Sequence, residues 1–224
     1  MQFDRAASKA DTWKKKYTDW SVFMSLSEKA LATRQRILTA ASALFYLHGY
    51  HATGLDKVIR RAGVTKGNFY YHFPSKEALA IASLDWQFSR ISREIQEQVL
   101  DRSDTSLDAL FALLESMAAR QKQQHQEGQI CGCYFGNFSL ELSTASQETA
   151  AKVNEVFSRL QALIESLLVK AVAAGQISRE LDPARFAAIV LGQIEGAILL
   201  DKARQTPTQL DASIDFIKDY LSGC

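Results

Sequence analysis

The sequence predicts an all-α fold, and three observations carry that expectation. Apolar residues recur at alternating spacings of three and four along most of the chain, the period of a helix with one buried stripe. No stretch shows the sustained two-residue alternation of a half-buried strand ladder. Gly, Pro and Ser, Thr or Asp stand where helices should stop and start. The 224 residues suffice for a small domain joined to a larger one.

The division expected is an N-terminal extension (1–27), a three-helix unit (28–78) and a larger helical body (79–224). In the extension, Trp13, Tyr17, Trp20 and Met24 fall at 4-3-4 spacing beside Lys14, Lys15 and Lys16. They form either a basic arm packed on the next unit, or a frayed tail upstream of a start at Met24. Thr33 to His48 reads as a strong helix, with Ile37, Leu38, Ala41, Leu44, Phe45 and His48 in one stripe, ended by Gly49. Thr53 is placed to cap a second helix, with Asp56 three residues on. Leu55, Val58, Ile59 and Ala62 face its core side, and Gly63 breaks it. Thr65 caps a very short third helix, Lys66 to His72, anchored by Phe69, Tyr70 and Phe73. Pro74 stops it and Ser75 caps the next.

Helical spacing then continues from Lys76 to about Leu100 and resumes over Ser106 to Gln126. Gly128, Gly132 and Gly136 loosen the chain, with a short helix near Phe138 to Leu142. Ser146 to Ala174 is long and regular, and Gly175 ends it. Asp182-Pro183 is a helix start, a cap followed by Pro at the first helical position, with Leu181 and Phe186 placed as a staple. This helix runs to about Arg204 and is apolar around most of its circumference, which implies burial on more than one side. Thr206-Pro207 repeats the start signal for a last helix to about Leu221.

Charge divides the chain unevenly. Residues 1–80 carry 13 Lys and Arg against 6 Asp and Glu, and residues 81–224 carry 13 against 19, so +7 and −6 make the net +1. A basic first third on an acidic remainder suggests a polyanion-binding head on a body that does not bind polyanions. No uninterrupted apolar run reaches spanning length, and the polar N-terminus has no signal-like apolar region. Cys131, Cys133 and Cys224 are too few for a disulfide scaffold and suit a reducing cytoplasm. No phosphate loop, dinucleotide fingerprint or triad spacing is present, so neither an enzyme nor a cofactor is expected.

Leu55 to Leu79 has the parts of a helix-turn-helix: two short helices, a tight turn and an exposed start to the second helix. Gly63 permits the turn, and Val64 and Phe69 can pin the second helix to the first. Thr65, Lys66, Gly67 and Asn68 occupy its first turn. Asn68 can read a base edge, Lys66 can reach phosphate or guanine, and Gly67 allows close backbone approach. Tyr70, Tyr71, His72 and Lys76 offer donors to phosphates. Tyr70 and Phe73 read as core in preference to contact surface, and His72 reads equally as a solvent-exposed histidine.

The residues Ile37-Leu38-x-Ala40-Ala41-x-x-Leu44-Phe45-x-x-x-Gly49, Thr53, and the block from Ala62 to Leu79 closely resemble the DNA-binding domain of TetR-type transcriptional regulators. The resemblance implies an all-helical homodimer with a ligand-sensing and dimerising body. Most such proteins are repressors that release double-stranded operator DNA when a small-molecule inducer binds. By the same resemblance Thr53 matches a phosphate-contacting cap, Thr65 to Asn68 the start of the recognition helix, and Tyr70 and His72 positions that contact DNA or brace it. Lys76 matches a phosphate-contacting lysine. Gly54 departs from the pattern, where a second hydroxyl residue is common.

Dimerisation is implied on the last two helices. The small residues Gly192 and Gly196, four apart, agree, and the expected face is Phe186, Ile189, Gly192, Gly196 and Leu199 with Ile214 and Ile217. For sensing, two readings stand. Cys133, with Cys131 as a resolving partner, resembles a segment that reacts with electrophiles in one TetR-type subgroup, while a small buried core cysteine explains it equally. Alternatively Phe111, Met117, Phe135, Phe138 and Phe157 line a cavity for a reversible ligand, with Glu141 and Glu195 as its polar groups. A metal site is not expected, because Cys131 and Cys133 have only His125 nearby.

Overall fold

The computed structural model describes residues 28–223. The stripe at Trp13, Tyr17, Trp20 and Met24, the lysines beside it, and Cys224 lie outside the described residues. The described residues form nine α-helices and one 3-10 turn, with no strand. In order these are α1 (Glu28–His48), α2 (Leu55–Ala62), α3 (Lys66–His72), α4 (Lys76–Gln98), the 3-10 turn (Leu100–Arg102), α5 (Ser106–Gln126), α6 (Tyr134–Leu142), α7 (Gln147–Ala173), α8 (Pro183–Arg204) and α9 (Gln209–Ser222).

The stripe of α1 buries Ile37, Leu38, Ala41, Leu44 and Phe45. His48, which its spacing puts on that stripe, is instead exposed. Gly49 turns the chain away in the left-handed region, φ 84°, and an imidazole at a helix C-terminus does better in water. Thr53 does not cap α2. Its hydroxyl is fully buried and donates to the carbonyls of Gly49 (2.7 Å) and Leu44 (3.2 Å), so it ties the α1–α2 link to the end of α1. The N-cap is Gly54, without a side-chain bond.

α2 ends at Gly63, φ 62°, where the Gly63 amide donates to the Arg60 carbonyl and the Val64 amide to that of Ile59. These two bonds satisfy the last carbonyls of α2 and set the tight turn. The Thr65 hydroxyl then accepts from the Asn68 amide at 3.2 Å, capping α3. Phe69 and Phe73 are buried and lock α3 onto α1 and α2. The Ser75 hydroxyl caps α4 by accepting from the Ala78 amide at 3.0 Å.

Packing does not break at residue 78. One core joins Leu38, Leu44, Phe45, Val58, Phe69 and Phe73 of the head to Leu79 and Leu84 of α4, Tyr134, Phe135, Phe138 and Leu142 of α6, and Val153 and Val156 of α7. A second core holds α5, α8, α9, the far half of α7 and the end of α4. α4 and α7 pass through both, so they are the rods along which head and body are joined.

α8 is long and apolar enough to cross a membrane by length and composition, with a mean hydropathy of 1.4. Gln193, Glu195 and Asp201 interrupt the apolar run in the sequence. Here it is a bundle helix, with Ala187, Val190, Ile194 and Ala197 buried in the body core and packed against α7 and α9. The buried Asp201 carboxylate accepts from the amides of Thr208 (3.2 Å), Gln209 (2.7 Å) and Leu210 (3.0 Å). The start of α9 is therefore capped by α8, and not by Thr206 or Thr208.

Candidate nucleic-acid interface and ligand cavity

The first turn of α3 stands clear of the protein. Thr65, Lys66, Gly67 and Asn68 are all exposed, as are Tyr70 at 45% and Tyr71 at 72%. Tyr70 is thus surface and not core. A Cβ on Gly67 would meet nothing within 4 Å, so nothing among the described residues requires a glycine there. Exposed Lys57, Arg60 and Arg61 on α2 add positive charge to the same head. His72 is half-buried, and burial, then the nearby Arg34 cation, holds its imidazole below the usual value. That favours the uncharged ring, which offers one N–H. Lys76 is less exposed than its position suggests. Its ammonium lies 4.2 Å from the Tyr50 ring centroid and 3.5 Å from the His51 carbonyl. Thr53, turned inward, has no donor left for a phosphate.

Besides the shared core, one charged side chain fastens the head to α6. Glu141 accepts from the amides of Tyr50 (2.9 Å) and His51 (2.8 Å), the residues that follow α1. Gly49 is needed here twice over: its φ is positive, and a Cβ would fall 2.7 Å from Glu141 Oε1. Glu141 therefore serves the head and does not line the cavity expected for it.

The segment before α6 is clamped from three helices. Tyr46 of α1 donates to the Gly132 carbonyl (2.5 Å) and accepts from Gln124 of α5 (2.8 Å), whose Oε1 accepts from the Cys131 amide (2.8 Å). The Asn137 amide donates to the Cys131 carbonyl (2.9 Å), and Lys202 of α8 donates to Asn137 (2.6 Å). Gln205 pairs with both backbone groups of Ile130. Cys131 is buried and its thiol is pushed up by that burial.

Cys133 caps α6, its sulfur accepting from the Gly136 amide at 3.3 Å. Burial first, and the Glu195 carboxylate second, raise its pKa well above the usual thiol value. Burial likewise raises that of Glu195. Both cysteines are free. This environment disfavours the Cys133 thiolate, whereas a thiol that attacks electrophiles needs its pKa lowered.

Two cavities meet at Cys133 and Glu195. The larger, about 770 Å³, lies between α1, α4, α5, α6 and α8. Trp86, Met117, Phe135 and Ile198 form apolar wall, with Gln87 and Gln121 among them. The smaller, about 490 Å³, lies between α6, α7 and α8 and includes Phe157, Gly192 and Gly196. Of the aromatic and Met positions expected to line a pocket, Met117, Phe135 and Phe157 do so. Phe138 belongs to the head core, edge-on to Phe45 at 5.6 Å, and Phe111 packs on the body core under the Lys218 ammonium. Their helical phase points them into core and away from either cavity.

One face of α8 and α9 is apolar yet open. Ile189, Leu199 and Leu200 are exposed by 51%, 50% and 43%, and Phe216 and Tyr220 by 61% and 47%. Gly192 and Gly196 lie between Ile189 and Leu199, with nothing near their missing Cβ atoms. Phe186 is half-buried and stacks on Tyr220 at 5.2 Å. Ile214 and Ile217 are buried inside the chain, at 4% and 1%, and cannot be on this face. Phe216 and Tyr220, one helical phase away, take their place.

Residues 37–82 match the model for bacterial regulatory proteins of the tetR family. Residues 106–217 match that for the tetracyclin repressor-like C-terminal domain. The chain is 30% identical to the transcriptional regulator AcuR of Cereibacter sphaeroides, over 72% of this chain and 73% of that one. It is 28% identical to the HTH-type transcriptional repressor DhaR of Mycobacterium sp. strain GP1, over 84% and 91%. A TetR transcriptional regulator from Chloroflexus aurantiacus superposes with a TM-score of 0.77 at 26% identity, covering 88% of this chain and 97% of that one. These matches span head and body together, and they are to regulators and not to enzymes. With a helix-turn-helix whose second helix presents its first turn to solvent, the chain is a DNA-binding transcriptional regulator and belongs to the TetR family.

Proposed function

We propose that the protein is a homodimeric cytoplasmic repressor that leaves a near-palindromic operator when a small, largely apolar molecule enters the cavity between α1, α4, α5, α6 and α8. One observation carries the reading. At its N-terminal end α6 forms cavity wall, through Cys133, Tyr134 and Phe135. At its other end Glu141 holds the amides of Tyr50 and His51 in the head. A ligand that shifts this helix also shifts the head, and two heads set at a fixed distance lose register with successive major grooves.

In this reading Thr65, Lys66, Gly67 and Asn68 enter the groove, and Tyr70, Tyr71 and His72 reach the backbone at its edge. Gly67 is then small because DNA, not protein, comes close. Lys76 adds a phosphate contact only by leaving Tyr50. The apolar face of Ile189, Gly192, Gly196, Leu199, Phe216 and Tyr220 is covered by a second copy, with the glycines allowing α8 to approach its equivalent closely. The raised pKa of the Cys133 thiol favours reversible binding over thiol chemistry.

Selection of bound duplexes from a random DNA library tests the DNA half of the proposal. The expected outcome is a near-palindrome with half-sites about 34–36 Å apart or a multiple of that. Lys66→Ala should weaken binding to it and reduce the salt slope by about 1. Recovery of single, unpaired half-sites would overturn the dimeric reading. Effector screening by fluorescence anisotropy on the selected duplex tests the rest: no release by any apolar compound shown to occupy the cavity would refute it.

A further inference from the structure

The solvent side of the larger cavity carries an uneven set of charges. Arg90 and Glu94 of α4 and Arg120 of α5 all line it. Glu94 is shared between the two arginines. Its Oε1 lies 3.5 Å from Arg90 Nη1, and its Oε2 accepts from Arg120 Nη2 at 2.7 Å. Each guanidinium thus meets one oxygen of a carboxylate, where its planar fork can take two. Neither has a second carboxylate partner among the described residues, so two cations stand against one anion. Glu127, another carboxylate of the lining, lies roughly 10 Å further along α5 than Arg120 by helical rise. It accepts from Gln123 and pairs with neither arginine.

Both arginines can be reached, since their side chains are 48% and 44% exposed. They also stay with the cavity. The Arg90 guanidinium carbon sits 5.8 Å from the centroid of the Trp86 ring, which is itself wall. The Arg120 cation is felt further in: burial raises the pKa of the Tyr46 hydroxyl, and the Gln124 amide and Arg120 oppose that rise. Beyond this mouth the lining turns apolar, with Trp86, Ile91, Ile95, Leu113, Phe135 and Ile198. Where the two cavities meet, burial biases both Cys133 and Glu195 toward their uncharged forms. Excess positive charge at an open mouth and an apolar interior suit a molecule divided the same way. A neutral ligand leaves the second guanidinium without a carboxylate, and a cationic one adds to the excess.

We infer that Arg90 and Arg120 form an anion-binding mouth to this cavity, and that its ligand is an amphipathic carboxylate whose head is held by the two guanidinium groups while its apolar body lies inside. This deepens the ligand-release reading above and rests on it for its role in regulation, but not for binding itself.

Three probes share one aromatic body: naphthaleneacetate is an anion, naphthaleneacetamide is neutral, and naphthylethylamine is a cation. Calorimetric titration of the full chain should give the acetate an affinity at least about fivefold above the amide, with the amine weakest. The gap should narrow as salt rises from about 50 to about 500 mM. Arg120→Gln should bring acetate and amide within about twofold of each other, its folding checked by thermal unfolding, with Arg90→Gln as the second variant if the first does not fold. Glu94→Gln works in the opposite direction. It frees both guanidinium groups, so acetate affinity should rise about threefold or more while amide affinity is unchanged. A purely structural role for the three residues would instead weaken all probes alike. Equal affinities for acetate and amide, a preference for the amine, no binding of the acetate, or lower acetate affinity in a folded Glu94→Gln chain would each overturn the inference. Anisotropy on operator DNA separates the two proposals. Release by the amide as readily as by the acetate refutes the specificity and leaves ligand release standing. An acetate preference in binding with no release of DNA by any probe supports the specificity and refutes the inducer reading.

Discussion

Replacing Glu141 by Ala removes the carboxylate that joins α6 to the link after α1 and leaves the Phe138–Tyr50 ring contact in place. The two bonds lost are a carboxylate accepting from backbone amides at 2.9 and 2.8 Å. Charged hydrogen bonds contribute about 1.5–3 kcal/mol each. Tyr50 is half-buried and His51 exposed, so water can reach the freed amides and the lower end applies, about 3 kcal/mol together. For a chain of this length about 1 kcal/mol corresponds to roughly 2–4 °C in Tm, so the expected loss is about 6–12 °C. The global number is less informative than two local ones. Amide exchange at Tyr50 and His51 should speed up in Glu141→Ala while that of the α5 and α7 core is unchanged. Ligand affinity at the cavity should also be retained while release of DNA weakens, because the carboxylate bonds from α6 to the head are gone and only the packing of Phe138 on Phe45 and Tyr50 remains. Glu141→Gln keeps one acceptor and should fall between. A change in stability below about 0.5 kcal/mol, with unchanged exchange at both amides, would refute the role given to Glu141, since surface substitutions of no structural consequence lie in that range.

Asp201→Ala leaves three amides at the start of α9 without their acceptor, Leu210 among them in the core, and should cost about 2–4 kcal/mol by chemical denaturation. Leu199→Glu places a charge between Gly196 and the open apolar face, so sedimentation should show monomers, and operator affinity should fall sharply. Burial and the Glu195 carboxylate raise the Cys133 pKa, whereas an unfolded cysteine titrates at about 8.5. The folded state keeps its proton as the unfolded state loses one. The stabilisation is therefore whole below about pH 8.5 and declines as pH rises above it. In a chain with Cys131 and Cys224 changed to Ser, pH-dependent unfolding should show this slope, and Cys133→Ser should abolish it. Reaction of Cys133 with a thiol reagent at pH 8 should be slower folded than in urea.

Local patterns in the sequence determine the helices and the DNA-reading head. Leu38, Leu44 and Phe45 repeat at helical spacing, Gly63 has a conformation that only a turn needs, and Thr65, Ser75, Ser146 and Asp182 cap the helices they precede. Each of these effects acts over one or two turns, so it is readable from neighbours in the chain. The exposed first turn of α3 follows from the same local facts, since Phe69 and Phe73 face inward and Thr65 to Asn68 must then face out.

Only the tertiary structure decided how head, cavity and open apolar face are connected, because those partners are far apart in sequence. Thr53 matches a capping position, yet its hydroxyl turns back to Gly49 and Leu44 once α1 lies beside it. Glu141 and the amides of Tyr50 and His51 are separated by some ninety residues, and nothing near Glu141 in the chain marks it as a clamp. Ile214 and Ile217 share the apolar character of Phe216 and Tyr220, and only the packing of α9 on α5 and α8 divides buried from open. The state of Cys133 depends on Glu195 of α8 coming to face it. Helical period and capping are short-range and so are legible in the chain, whereas burial, pairing and charge balance are sums over partners that the fold brings together.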